Sequence, residues 1–504
     1  MPSSRSLRTT AVAGAAAFVT LAVGGSADAV APRATTTSPA KAAAGWLAQQ
    51  FTDHYDYPGG TYFDGGTTAD SIYALAAAGV GKRQIDASIA YFKKHVDDYT
   101  SVHDTSGKPG PYDGSIGKTA VAALVADADP TRFGGYNLLH ALKQDQCTSA
   151  SQPKNDKDYT TPVCPAPGAA RNIYSSISES LAILAEARGA ARYGASYAPD
   201  QAATDYFLSL QCPNGGFTSA TDGSSPCTSD PDATGYAMMA LQALGGQSAA
   251  LDHAAHWLTS VRNSDGSWTA QHVHNVDSTG LAAAALRAHG VDISKSRAWL
   301  ATQQVKTGPT VGAGATRGAL KYQGHFDASS SIKATADGIL GMVHGGSLAT
   351  LSAASAAPDS PVLALAAPTV RSPHVVAGHT QTVTGTGFAA GETVAAVLAP
   401  ATAPLAHAQA DHNGSVTLSF TVPPTNVGKH AITFTGRRSG LASTASFTVT
   451  AAPVASVPTA SSAPPLADTG RDAHQTNLEI ALGVGLITAG AAFVLVGRRR
   501  PWRR

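Results

Sequence analysis

DPDATGYAMMALQALGG, residues 230–246, decides how this chain is read. After its opening residues it is apolar on almost every side, which predicts a helix buried on both faces. An Asp or Thr at its start can accept first-turn amides, and the closing glycines stop it. A second copy, DSTGLAAAALRAHG (277–290), begins with the same Asp-x-Thr-Gly. Looser copies begin at Thr68, Gly117, Tyr174 and Ala334, at a spacing of roughly 45–60 residues, as in helical arrays.

Between these copies lie amphipathic segments such as QIDASIAYFKKHVDDY and ALDHAAHWLTSVRN. The two kinds alternate, six of each, over residues 38–346. A closed ring of six pairs buries the apolar helices inside the amphipathic ones and leaves no exposed end. The expected fold is therefore an all-α (α/α)6 toroid. Its outer-to-inner loops are long and open on one end, where recognition is usually placed.

Several outer helices run into Gly- and aromatic-containing turns, FLSLQCPNGGF and WLTSVRNSDGSW. These Q-x-x-x-G-x-[FW]-like turns, with the Asp-x-Thr starts, resemble the prenyltransferase/squalene-cyclase repeat superfamily. That superfamily includes class II terpene cyclases, protein prenyltransferase β subunits, complement thioester domains and transcobalamin-type carriers. The resemblance covers about 300 residues and implies a fold, because one fold hosts several activities.

Each activity was weighed on its residues. Class II cyclases carry D-x-D-D-T, which places Asp232 at the proton donor and Asp230 at the first carboxylate. Ala233 replaces the third acid, and the inner helices are poor in the aromatic rings a carbocation needs. The repeat of the motif at Asp277 argues for an architectural role, with Asp232 or Thr234 as helix cap. The prenyltransferase zinc site fails because the inner helices lack Cys, and the thioester Cys-Gly-Glu-Gln is absent. A carbohydrate hydrolase or lyase needs two carboxylates across a cavity. Its candidates are Asp70, Asp113, Glu179, Asp232, Asp277 and Asp337, although the helix dipole alone favours first-turn acids. No cofactor or metal site is expected. For ligand binding the candidates are Tyr62, Tyr112, Tyr174, Trp268 and His274. Trp268, like Phe217, also fits a wedge between repeats, and His274 also fits a solvated loop.

The ends of the chain speak to location. Residues 1–29 read as a signal peptide: a basic start, an apolar run and Ala27-Asp28-Ala29 for cleavage. Four cysteines in an exported chain suggest two disulfides. Three pairings are possible; Cys147 with Cys164 and Cys212 with Cys227 are favoured because each closes a short polar loop. Residues 347–366 read as a linker. Residues 367–450 show the short alternating strands of an Ig-like β-sandwich, a spacer in form. Residues 451–465 form a Pro/Ala/Ser stalk.

Residues 466–504 combine LADTG, an apolar span at 478–497 long enough for a hydrocarbon core of about 30 Å, and an Arg-rich tail. Leu466-Ala467-Asp468-Thr469-Gly470 resembles the LAxTG sortase signal of actinobacteria. The resemblance implies cleavage between Thr469 and Gly470 by a sortase, with peptidoglycan joined to Thr469. The C-terminal helix would hold the chain in the membrane until then. Charged residues are only 14% and the formal net charge is +1, which argues against a nucleic-acid partner. The sequence thus points to a wall-anchored surface protein whose toroid binds an extracellular ligand. The rival expectation is a wall-bound enzyme.

Overall fold

The structure is a computed structural model. It describes residues 32–57, 60, 62–102, 110–152, 162–221, 226–270, 272–400, 403–425 and 427–453. The expected signal peptide, nearly all of the stalk, the LADTG signal and the span at 478–497 lie outside these. Among the described residues no helix is long and apolar enough to cross a membrane.

The helices run, in chain order, α1 (Pro39–Leu47), α2 (Gly65–Ala78), α3 (Lys82–Lys94), α4 (Val96–Thr100), α5 (Asp113–Val125), α6 (Leu138–Asp145) and α7 (Ser176–Tyr193). They continue as α8 (Gln201–Ser209), α9 (Pro231–Leu244), α10 (Ser248–Ser260), α11 (Val276–Ala288), α12 (Ser294–Thr302) and α13 (Ser330–Met342). Helices α2, α5, α7, α9, α11 and α13 each pack on the next, and α13 returns to α2, closing an inner ring. Helices α1, α3, α6, α8, α10 and α12 pack around it, each against its inner neighbours. This is the expected toroid of six helix pairs.

Small residues let the inner helices approach. A side chain at Gly280 would place its Cβ 2.1 Å from the carbonyl oxygen of Asp337, so α11 and α13 touch backbone to backbone there. The outer helices bury one stripe only: in α3, Ile85, Ile89 and Phe92 face inward while Lys93 and Lys94 end the helix at the surface.

A repeated threonine ties each turn to the next inner helix. Thr68, Thr234, Thr279 and Thr335 accept the backbone amides of Tyr55, Phe217, Trp268 and Leu320 at 2.8–3.0 Å. Glutamines of the preceding turns reach the next outer helix: Gln211 donates to Ala250, and Gln304 to Pro39 at 2.8 Å. The last turn thereby clasps the first helix and completes the ring. The cysteines pair sequentially, Cys147–Cys164 and Cys212–Cys227.

Residues 347–366, expected as a linker from composition, are part of the fold. Leu348, Leu351 and Ala353 are buried in the helical core. This stretch crosses the C-terminal ends of the inner helices. Arg188 of α7 donates to the carbonyls of Leu348 and Leu351, Gln242 of α9 meets Ser347, and Ala353 donates to Val125 of α5. Sequence reading missed this because Ala, Ser and Leu without periodicity look like spacer, while their burial is set by the ring above them.

The strands are β1 (Thr35–Thr36), a β2–β3 hairpin (Trp268–Ala270, Val273–Asn275), then β4 (Val362–Leu363), β5 (Thr369–Val370), β6 (His374–Val376) and β7 (Thr380–Gly385). They end with β8 (Thr393–Ala399), β9 (Ala403–Pro404), β10 (Ala408–Gln409), β11 (Val416–Thr421), β12 (Gly428–Gly436) and β13 (Ala442–Thr450). β4 pairs in parallel with β1 beside α1, Thr35 opposite Val362. Downstream, one sheet has the order β10-β8-β12-β13-β6 with β9 on β8, and a second has β11-β7-β5. Alternate residues such as Val394, Ala396, Leu398, Ile432 and Phe434 fill the core between them. This is the expected β-sandwich.

The sandwich docks directly on the toroid. Arg317, buried in the loop before α13, donates to the carbonyls of Lys306 and Ala364 and to the Thr310 hydroxyl. Val311, Val362, Ala389 and Leu441 form a small apolar cluster across this contact.

Candidate functional site

The inner helices start at one end of the ring, and their first turns carry the acids singled out from sequence. The structure sorts these acids into three groups. The first is capping. Asp230 accepts the amides of Asp232 and Ala233 at 2.9 Å and is the N-cap of α9. Asn275 plays that part for α11 by accepting the Ser278 amide. The expectation that Asp232 or Thr234 caps the helix is therefore corrected: the cap is Asp230, and the Thr234 hydroxyl instead accepts the Phe217 amide.

The second group holds the disulfide loop. Asp113 accepts the Arg171 amide at 2.5 Å and Glu179 the Ala170 amide at 2.9 Å, both fully enclosed. Burial raises both, Glu179 to about 8, against the pull of those amides. Each gives one oxygen to a backbone amide, while the Asp113 Oδ1 is buried without a partner.

The third group meets at the mouth of the ring. Asp70 of α2 lies 2.8 Å from Lys118 of α5 and 3.4 Å from Lys333 of α13. Lys333 also binds Asp337, one turn along its own helix, at 2.6 Å. Burial opposes ionisation of Asp70, but the two lysines outweigh it and hold the carboxyl below its ordinary value. Asp232 and Asp277 occupy equivalent positions on neighbouring α9 and α11, and each has a buried Oδ1 with no hydrogen-bond partner. Burial raises Asp277 to about 8, with the fields of Asp337 and Asp232 adding to it and Lys333 opposing. Burial likewise raises Asp232 to about 6, against the neighbouring Ser278 hydroxyl.

Solvent reaches this cluster. Asp70 and Asp337 are enclosed at 3% and 2% exposure, yet Lys333 keeps 48% of its side chain accessible. One turn deeper, Tyr73 and Tyr236, from opposite sides of the ring, are buried; Tyr73 donates to the Lys118 carbonyl at 2.7 Å. The polar cluster is thus open from the N-terminal side and backed by aromatic rings. At neutral pH it presents an ionised Asp70, two ammonium groups, a protonated Asp277 and a largely ionised Asp232.

Exposed aromatics stand around the opening. Tyr57, Tyr62 and Tyr174 are exposed. Tyr57 feels Asp64 and Lys118, Tyr174 feels Tyr112, and Tyr322 feels Asp277 and Asp232, each after its own burial. Tyr62, Tyr112 and Tyr174 therefore remain candidates. Trp268 does not: it is fully buried, with its indole N–H on the Leu258 carbonyl, and is the wedge of its turn. His274 is held at the surface of the β2–β3 hairpin by Asp265 (3.0 Å) and Ser267 (2.9 Å).

Lys118 and Lys333 were missed from sequence. Their signal was a lone lysine in a helix otherwise apolar all round, SIGKTAVAALV and SSIKATADGIL, a position that demands a buried partner.

Residues 364–449 match the family model for the macroglobulin-like domain. Comparison with curated proteins gives no match. Among solved structures, the chain is similar to an unsaturated glucuronyl hydrolase from Bacillus sp. GL1, at 10% identity and a TM-score of 0.40, covering 60% of this chain and 94% of the other. It is also similar to a type II terpene cyclase from Scytonema, at 15% and 0.41, covering 60% and 96%. A protein from Actinoplanes matches at 14% and 0.40, covering 60% and 98%. Likeness at this level assigns neither an activity nor a residue.

Proposed function

We propose that this chain is exported, joined to the cell wall through Thr469, and presents the toroid mouth to an extracellular glycan. The orphaned Oδ1 atoms of Asp232 and Asp277 carry the glycan reading. Buried acceptors without partners are costly, and sugar hydroxyls are donors of the kind they lack. Lys118 and Lys333 supply donors of their own, and Tyr57, Tyr62 and Tyr174 supply rings on which a sugar face can stack. Glycan-array binding of the full chain tests this. Asp232→Asn with Asp277→Asn should lower affinity about tenfold or more, a loss of at least ~1.4 kcal/mol. Equal binding by the double variant would sink the proposal. For the anchor, Thr469→Ala should move the protein out of the covalent wall fraction; an unchanged wall fraction refutes it.

One observation favours a second reading, a glycan hydrolase or lyase. Asp277 stays protonated at neutral pH beside Asp232, the pairing of acid and base that such chemistry uses. Here Asp277→Asn should abolish release of new chain ends, a loss far larger than the accompanying fall in glycan affinity. Wild-type activity should fall as pH rises through about 8, where Asp277 loses its proton.

A further inference from the structure

A second, separate site lies at the opposite end of the inner ring. The C-terminal ends of α2 and α13, the start of α1 and one face of α12 border a half-open cavity of about 280 Å³. This is near the lower bound of about 300 Å³ for small-molecule pockets. It is remote from the mouth: Lys333 and Met342 are separated by nine residues of helix, about 14 Å. Ala78, Ala301 and Met342 form apolar walls, while Lys41, Arg297 and His344 bring cationic or protonatable groups.

The charges here are unanswered. Among the described residues, Lys41, Arg297 and His344 make no ion pair. Arg297 reaches the Val343 carbonyl only at 3.5 Å, and its buried Nε has no partner. Arg287 stands nearby: burial lowers its pKa to about 10, and the field of Arg297 adds to that. Asp292, the acid that feels Arg297, is exposed and already accepts the amide and hydroxyl of Ser294, each at 2.9 Å. The start of α1, which lines the same cavity, has no side-chain cap over its first-turn amides. A cavity lined by three basic side chains and no acid, beside an uncapped helix start, favours an anion.

We propose that this cavity binds a monocarboxylate with a compact apolar body, its carboxylate on Arg297 and the α1 amides and its body against Ala78, Ala301 and Met342. The test is calorimetric titration of the full chain with 4-phenylbutyrate, with 4-phenylbutanol and acetate as partial ligands. The acid should bind, and each partial ligand should bind about tenfold or more weakly. Arg297→Met keeps the apolar stem and should lower affinity by a similar factor. Ala301→Trp, which fills the chamber without touching the charge, should abolish binding. Thermal unfolding of both variants checks that they fold. Three results would overturn the proposal: no heat with the acid, equal binding of acid and alcohol, or unchanged binding in both variants. Because Asp232 and Asp277 lie at the other end, their Asn variants should bind 4-phenylbutyrate as wild type does.

Discussion

Asp230 and Asp232 show how much chemistry turns on two residues of helix. Both sit where the helix dipole welcomes an acid, so composition treats them alike. Asp230 gives its oxygen to two amides, while Asp232 lies within the fields of Asp337, Lys333 and Asp277. The presence of the acids was legible in the sequence, but their roles were not, since rotation about the helix and the identity of the facing helix decide them. A pH dependence follows. Asp277 titrates at about 8 when folded and near 3.9 when unfolded. Between these values the native state holds a proton that the unfolded chain releases. Its contribution to stability is therefore full below about pH 4 and is lost as pH rises through 8. Asp232, Glu179 and Glu186 act in the same direction, at about 6, 8 and 7. Melting temperature should fall from about pH 5 to 8.5, and Asp277→Asn should flatten part of that fall. Parallel melting curves for wild type and variant would contradict the assignment.

At the scale of elements, the six helix pairs could be read because each inner helix is Ala-rich all round and each outer one has a charged face. The packing distances behind that pattern were hidden. Gly280 looks like part of a repeated start, Asp-x-Thr-Gly shared with Gly235, but its lack of a side chain is what lets α11 rest on α13. Gly280→Ala should destabilise the chain by about 1–3 kcal/mol or more in urea unfolding, because the nearby atom is rigid backbone. Gly345→Ala, with open space around it, serves as the control and should stay within about 0.5 kcal/mol. The disulfide pairing was legible from loop length; the hold of Asp113 and Glu179 on the segment that follows Cys164 was not.

For the whole molecule, composition placed a spacer where the structure has a seam. Arg317 is the centre of that seam, and nothing in GATRGALKY marks it as more than a surface residue. Removing its guanidinium leaves the carbonyls of Lys306 and Ala364 without their donor, at about 1–3 kcal/mol for each buried group. Calorimetry of Arg317→Met should show the β-sandwich unfolding at a lower temperature than the toroid, split further from it than in the wild type. A single unchanged transition would mean that the apolar cluster alone holds the two parts together.

The parallel pairing of Thr35–Thr36 with Val362–Leu363 has a mechanical consequence. Under the proposed wall anchor, tension between a tether downstream of Thr450 and a ligand at the mouth would pass through residues 362–366. The pairing bonds, Val362 to Ala34 and Ala364 to Thr36, tie that stretch to the strand that leads into α1. Gly45, pressed on the Pro361 carbonyl, leaves no slack beside them. Load therefore enters the ring beside its first helix, at the place where the last turn already clasps Pro39, and spreads around a closed circuit with no free end to peel.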